Sequence, residues 1–442
     1  MSPFVRYRVL VFLFINVVIN YMDRTNISIA ASSISSAFHL NSVQLGLVFS
    51  AFGWTYVALQ IPGGLLTDRV APRVLYALSL TGWSLVTLFQ GFAGGFVALL
   101  GFRLATGALE APAYPINNRV VTAWFPEQER ASAIAVYTSG QYIGLALLTP
   151  LMAAVLHYLG WRWLFIITGV TGMVWGMVWY LVYREPAGGA DAGDVRAAGA
   201  GGDFAAAGGA DESGAEESGG LPAAGGADES GVRSGGGWSD LREVFSHRKL
   251  WGIYIGQFAV TSSLWFFLTW FPIYLEKYRG LTFIKTGFLA SVPFLAAFAG
   301  ILLSGFLSDF LTRKKIPVNI ARKLPVISGL ILSIFIVGAN YVQSPWLIIL
   351  FMAIAFFGNG LASITWVFVS LLAPKHLIGL TSGAFNFVGS LSAVSIPFII
   401  GCLVKGGDFS PALLFISGLA LVGIGSYVFL VGKIERVKIK GT

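Results

Sequence analysis

The chain has 442 residues, of which 56% are apolar, 14% aromatic and only 11% charged, with 29 Lys and Arg against 21 Asp and Glu. With a mean hydropathy of +0.75, this composition excludes an ordinary soluble domain. Cys402 is the single cysteine, so disulfides within the chain are excluded as well.

Apolar stretches of about 18 residues or more, each able to cross a hydrocarbon core of about 30 Å, recur twelve times. They lie near 8–34, 42–66, 73–93, 96–116, 131–156, 162–183, 250–274, 285–308, 323–341, 345–371, 378–404 and 410–432. The first is too polar, at Asn16, Asn20 and Asp23, to be a cleavable signal peptide. If the N-terminus is cytoplasmic, the inside segments collect 22 of the 29 Lys and Arg, the outside segments five and the membrane two. That positive-inside pattern puts both termini in the cytoplasm. It also accounts for the net charge of +8 without any nucleic-acid surface.

In chain order, the first span carries Asp23 and Arg24 in INYMDRTNISIA, and the second ends in IPGGLLTDRVAPR, with Gly64, Asp68, Arg69 and Arg73 at the following loop. The fourth, GFRLATGALEAPAYP, holds Arg103 and Glu110 seven residues apart, two turns along nearly one helix face. Pro112 and Pro115 remove backbone donors just beyond Glu110 and are expected to loosen the helix there. The eighth span ends in SGFLSDFLTRKK, where Gly305, Asp309, Arg313 and Lys314 echo the second-span loop 241 residues later. Gln141, Gly144 and Pro150 of the fifth span are echoed by Asn386, Gly389 and Pro397 of the eleventh. Two echoes in matching places predict two six-span halves, 1–183 and 250–442, with a site between them near the midplane.

Residues 184–249 join the halves. Gly, Ala, Ser and acidic residues dominate, and AAGGADESG occurs twice, which predicts a disordered cytoplasmic linker. WSDLREVFSHRKL (238–250) regains helical periodicity and reads as a short interfacial helix capped by Ser239 or Asp240. Trp124, Trp161, Trp163, Trp251 and Trp346, near span ends, read as interfacial anchors.

Charge inside a bilayer costs at least about 2.5–3.5 kcal/mol per residue, so it faces a bundle interior or a wet cavity and usually serves function. Asp23, Arg24, Arg103 and Glu110 are the whole ionised inventory of the predicted core. Burial disfavours a charged carboxyl and a neighbouring arginine favours it, so a carboxyl between the two can take up or release a proton. Two arginines exceed what proton movement needs, and their donor forks suit a carboxylate or phosphate. The second half offers neutral polar groups: Gln257, Ser363, Thr365, Trp366 and Asn386. A polyhydroxylated acid fits this division. The alternative is that Arg103–Glu110 and Arg24–Asp23 are buried ion pairs holding the first half together. No metal-ligand spacing or nucleophile motif occurs in the spans, so an enzyme is not expected, and a receptor would need a signalling surface that only the linker offers.

These residues carry a resemblance. INYMDRTNISIA, FSAFGWTYVALQIPGG, FRLATGALEAPAYPINNRVVTAWFP, ERASAIAVYTSGQYIGLALLTP, GQFAVTSSLWFFLTWFP and FFGNGLASITW are similar to the major facilitator superfamily. Within it they resemble the anion:cation symporters that carry sugar acids in bacteria. The likeness covers nearly everything but the linker, with Ala71 where the loop motif usually has glycine. It implies an all-α membrane protein of twelve helices in two pseudo-symmetric six-helix bundles, monomeric and without cofactor, in the inner membrane. It implies proton-coupled import of a hexonate, D-galactonate first, with glucarate, hexuronates or uncoupled anion exchange as alternatives. Asp23 and Glu110 would be the protonatable pair and Arg103 would set their protonation. Arg24 would bind the substrate carboxylate, and Tyr21, Tyr56, Gln141, Gln257, Ser363, Thr365, Trp366 and Asn386 would line the site.

Overall fold

The structure, a computed structural model, describes residues 3–125, 127–186, 238–374, 377–404 and 408–437. The expected linker, 184–249, lies mostly outside the described residues. Among the described residues the secondary structure is helical, with no strand. Ten helices are long and apolar enough to cross a membrane, and an eleventh span is the pair Arg248–Thr269 and Phe271–Tyr278, bent by 52° at its break. Pro72–Gln90 completes the expected twelve. Its hydropathy is diluted by buried Ser79, Ser84, Thr87 and Gln90.

The spans pack as two groups of six. In the first, Pro72–Gln90 lies on Trp161–Val182, and Pro3–Ile29 on Glu127–Leu159. In the second, Phe283–Arg313 lies on Pro345–Leu361, and Arg248–Thr269 on Ile378–Leu403. Six crossings return each half to the side on which it began; this is the terminus side, and the opposite one the far side. Trp238–Ser246 is helical and packs on the seventh and eleventh spans, with Ser239 and Asp240 inside it rather than capping it. The C-terminal segment is tied down on the same side. Val437 N–H donates to Leu372 O at 2.9 Å and Ile434 N–H to Asn319 Oδ1 at 3.3 Å, while Lys323 Nζ donates to the carbonyls of Tyr427 and Gly432.

Three spans are broken or bent within their length. The fourth breaks at Ala111–Pro112, between Phe96–Glu110 and Ala113–Trp124, where proline removes a donor just past Glu110. The tenth narrows to a 3₁₀ turn over Ala362–Trp366, and the seventh bends after Thr269, ahead of Pro272. Irregular backbone at membrane depth is tolerated only inside protein or along a cavity, and in the fourth and tenth spans it adjoins Glu110 and Thr365.

The two groups meet in the middle and on the far side. Ser50 Oγ donates to Val394 O. Phe49 packs edge-on against Trp270 (5.4 Å), Phe52 tilts against Trp265 (6.0 Å) and Tyr142 meets Phe356 (6.0 Å). At Gly46 and Gly401 the second and eleventh spans touch backbone to backbone: a Cβ on Gly401 would lie 2.5 Å from Ser42 O and 3.3 Å from the Gly46 Cα. Toward the terminus side, Gly383 faces open space while Asn386 and Trp366 are exposed. The cleft is shut on the far side and open on the terminus side.

Side-chain bulk at the Gly46–Gly401 contact should prevent that closure. In a Cys402→Ala background, a cysteine placed at Ala393 should resist a bulky thiol reagent supplied from the far side, and Gly401→Val should expose it. Equal labelling in both backgrounds would show that the glycine contact does not hold the seal.

Candidate functional site

The four charged residues converge on one buried cluster, and all are at most 5% exposed. Arg24 Nε donates to Glu110 Oε1 at 2.5 Å, an ion pair between the first and fourth spans. The partners differ from the pairs that sequence order suggests. Asp23 does not pair with its neighbour Arg24; its Oδ2 accepts from Trp83 Nε1 at 3.1 Å. Arg103 makes no hydrogen bond from any guanidinium nitrogen, though its charge acts on both Asp23 and Glu110.

Aromatic rings replace water around the cations. The Arg24 guanidinium lies 4.8 Å from the Tyr56 ring centroid and 5.0 Å from those of Tyr21 and Phe52. Arg103 lies 5.0 Å from the same Phe52 ring, so one phenyl group serves both arginines. Desolvated cation–π contacts are worth about 2 kcal/mol each. Gly107, between Arg103 and Glu110 on the fourth span, makes this possible: a Cβ there would fall 2.2 Å from Phe52 O. Any larger residue would push the second span, and Phe52 with it, off the arginines.

The second half contributes a neutral surface. Thr365 Oγ1 donates to Gln257 Oε1 at 2.6 Å, joining the tenth span's 3₁₀ turn to the seventh span. Asn386 is exposed, and Gly389, one turn further, packs on the Gln257 side chain. Trp366 is 43% exposed and packs edge-on against Phe385; Ser363 is half-buried. Gln141 of the fifth span is half-buried beside Tyr142. Tyr21, Arg24, Tyr56, Asp23, Arg103 and Glu110 thus form one group and Gln257 with Thr365 another, while Ser363, Trp366, Asn386 and Gln141 stand apart. No group of three or more His, Cys, Asp or Glu among the described residues could hold a metal ion.

Sequence reasoning missed Phe52, Trp83 and Tyr114, whose hydroxyl reaches Tyr21 Oη at 3.5 Å. Phe52 carries one usable signal, its position four residues before Tyr56 and hence on the same helix face. Trp83 sits mid-span, away from both interfaces, where an indole N–H needs a partner. Trp124, expected as an interfacial anchor, is instead buried and donates to Tyr183 Oη at 3.3 Å.

Two helical bundles around a midplane site with broken helices define a membrane transporter fold. The family model described as the Major Facilitator Superfamily matches residues 13–397. The chain belongs to that superfamily, which makes it a multi-pass membrane transporter and not an enzyme. It is 49% identical to a D-galactonate transporter of Escherichia coli O6:H1 over 98% of this chain and 97% of that one. It is 38% identical to a probable galactarate/D-glucarate transporter of Escherichia coli (strain K12), over 98% and 95%. A crystal structure of a bacterial homolog to the human lysosomal transporter Spinster, in an inward-facing and unoccupied conformation, shares the fold with a TM-score of 0.69. At 21% identity, that match covers 98% of this chain and 96% of the other.

Removing one member of a buried pair strands the other, at a cost of about 3–5 kcal/mol. Arg24→Leu should therefore lower the thermal unfolding midpoint of the detergent-solubilised protein, and adding Glu110→Gln should restore most of the loss. A double variant as unstable as Arg24→Leu alone would show that the pair is not the source of the effect.

Proposed function

We propose that this chain is a proton-coupled importer of a hexonate, D-galactonate first, in a bacterial inner membrane with both termini cytoplasmic. It works as a monomer, by alternating access of the two bundles. The observation that carries this reading is the Arg24–Glu110 ion pair in a desolvated aromatic setting beside the cleft. A substrate carboxylate and the Glu110 carboxylate are rivals for one guanidinium. Protonation of Glu110 removes its charge and releases Arg24 to the substrate; deprotonation reverses the exchange and expels the anion. Asp23 is the second protonatable group, and the Arg103 charge tunes both acids.

Tyr21 and Tyr56 flank the bound carboxylate, while Gln141, Gln257, Ser363, Thr365, Trp366 and Asn386 meet the hydroxyls. In this topology the terminus side is cytoplasmic, and a cleft shut on the far side is the inward-facing state. If two protons accompany a monovalent anion, import is also driven by membrane potential. The 38% identity to a probable galactarate/D-glucarate transporter favours a second reading, a dicarboxylate sugar acid. A second substrate carboxylate would call for a second cation, and the lining residues proposed from the second half are all neutral, which favours the monocarboxylate.

The test is uptake of labelled D-galactonate into proteoliposomes under an inward proton gradient, with glucarate, galacturonate and gluconate as competitors. Accumulation should collapse with a protonophore and be blocked by unlabelled D-galactonate alone. Glu110→Gln should abolish gradient-driven uptake while retaining exchange of internal for external substrate. Full concentrative uptake by Glu110→Gln would sink the scheme.

A further inference from the structure

Asp23 is wholly buried, and the structure restricts how a proton could leave it. On the cleft side stands the Arg24 guanidinium, paired with Glu110. Toward the far side lie Thr87 and Gln90 of the third span and Thr106 of the fourth, with Gln90 reaching Thr106 at 3.4 Å. That region also holds Arg103, one turn from Thr106 on the same helix face, with its nitrogens unpaired. A fixed cation opposes the passage of a proton, as it does in water-selective pores.

The terminus side differs. Asn16, Asn20 and Asp23 form one stripe along the first span, at spacings of four and three residues. Tyr76 lies seven residues before Trp83 on the third span, and Asn117 lies past the break in the fourth. All are at most 2% exposed. Asn20 lies beside Glu110, with no hydrogen bond of good geometry from either amide atom. Asn16 accepts from Trp175 Nε1 at 2.6 Å, but its own Nδ2 has no partner. The Tyr76 hydroxyl lies beside the amides of Asn16 and Asn117 without a hydrogen bond of good geometry to either, and Asn117 Oδ1 is unpaired. Below them the unpaired Trp179 Nε1 lies next to Tyr183, flanked at the mouth by Glu185 and Arg119. Asn16, Asn20, Tyr76 and Asn117 are themselves neutral, and the Glu110 carboxylate, beside Asn20, also acts on Tyr76.

So many neutral, buried and unpaired donors and acceptors in a membrane bundle are costly unless water joins them. We propose that Asn20, Asn16, Tyr76 and Asn117 hold a file of water that carries the proton from Asp23 to the terminus side. This file lies inside the N-terminal bundle, apart from the cleft through which the anion leaves. The proposal rests on the proton-coupled reading above. The Asp23 carboxylic acid gives its proton to the first water, the proton passes along the file to bulk, and the carboxylate left behind keeps its hydrogen bond from Trp83. Asp23 then discharges without the proton crossing either arginine.

Tyr76→Phe removes only the hydroxyl and keeps the ring against Trp83 and Trp179; Asn117→Leu is near-isosteric. Each would be reconstituted, and uptake of D-galactonate driven by a proton gradient compared with counterflow, which needs no net proton release. Gradient-driven uptake should fall about tenfold or more in each variant while counterflow stays within about twofold of the unsubstituted chain. Driven uptake that is unchanged, or that falls in step with counterflow, would overturn the file. An unsubstituted chain indifferent to the gradient would instead bring down the coupled reading itself.

Discussion

The Arg24–Glu110 ion pair is the constraint on which the N-terminal half depends. Two opposite charges held out of water at 2.5 Å bind strongly only if the surrounding protein supplies what hydration would have supplied. It does so with the faces of Tyr21, Phe52 and Tyr56 around the guanidinium, and that enclosure requires the second span to lie against the fourth at Gly107. The break at Ala111–Pro112 follows directly on Glu110. The ion pair, the bare helix contact and the helix break are thus one local arrangement.

The two halves share a fold and divide the chemistry unequally. The first holds the central cluster of four charges; the second offers an amide–hydroxyl pair, Gln257 with Thr365, on a seventh span and a 3₁₀ turn. The central ionic cluster therefore lies within one bundle. The second bundle can move relative to it without separating that cluster, which in a medium of low dielectric would be costly. The seam between them is largely aromatic: Phe49, Phe52, Trp265 and Trp270 meet as rings, and the glycine contact at Gly46 and Gly401 lets the backbones close.

Polar residues that do no ion pairing are also organised. The third span is less apolar than most, and its polar residues Ser84, Thr87 and Gln90 all turn inward. A helix that gives up apolar surface on its buried face must recover the cost through internal partners or water. Its stripe abuts those of the first and fourth spans, so the N-terminal bundle has a polar interior inside an apolar exterior.

The sequence by itself determined the membrane class, the twelve crossings, the two halves and the identity of the four buried charges. Each follows from composition or spacing along one helix, and burial of an ionisable residue in a lipid-spanning segment is legible without knowing its neighbours. Tertiary structure alone decided which charge meets which. Asp23 and Arg24 are adjacent in sequence yet emerge about 100° apart on a helix, so Asp23 faces Trp83 of the third span and Arg24 faces Glu110 of the fourth. The place of Phe52 between two arginines, and the far-side closure, were equally hidden. Both depend on how closely whole helices approach one another, and that distance is set by pairs of residues such as Gly107 with Phe52, which lie dozens of positions apart in the chain.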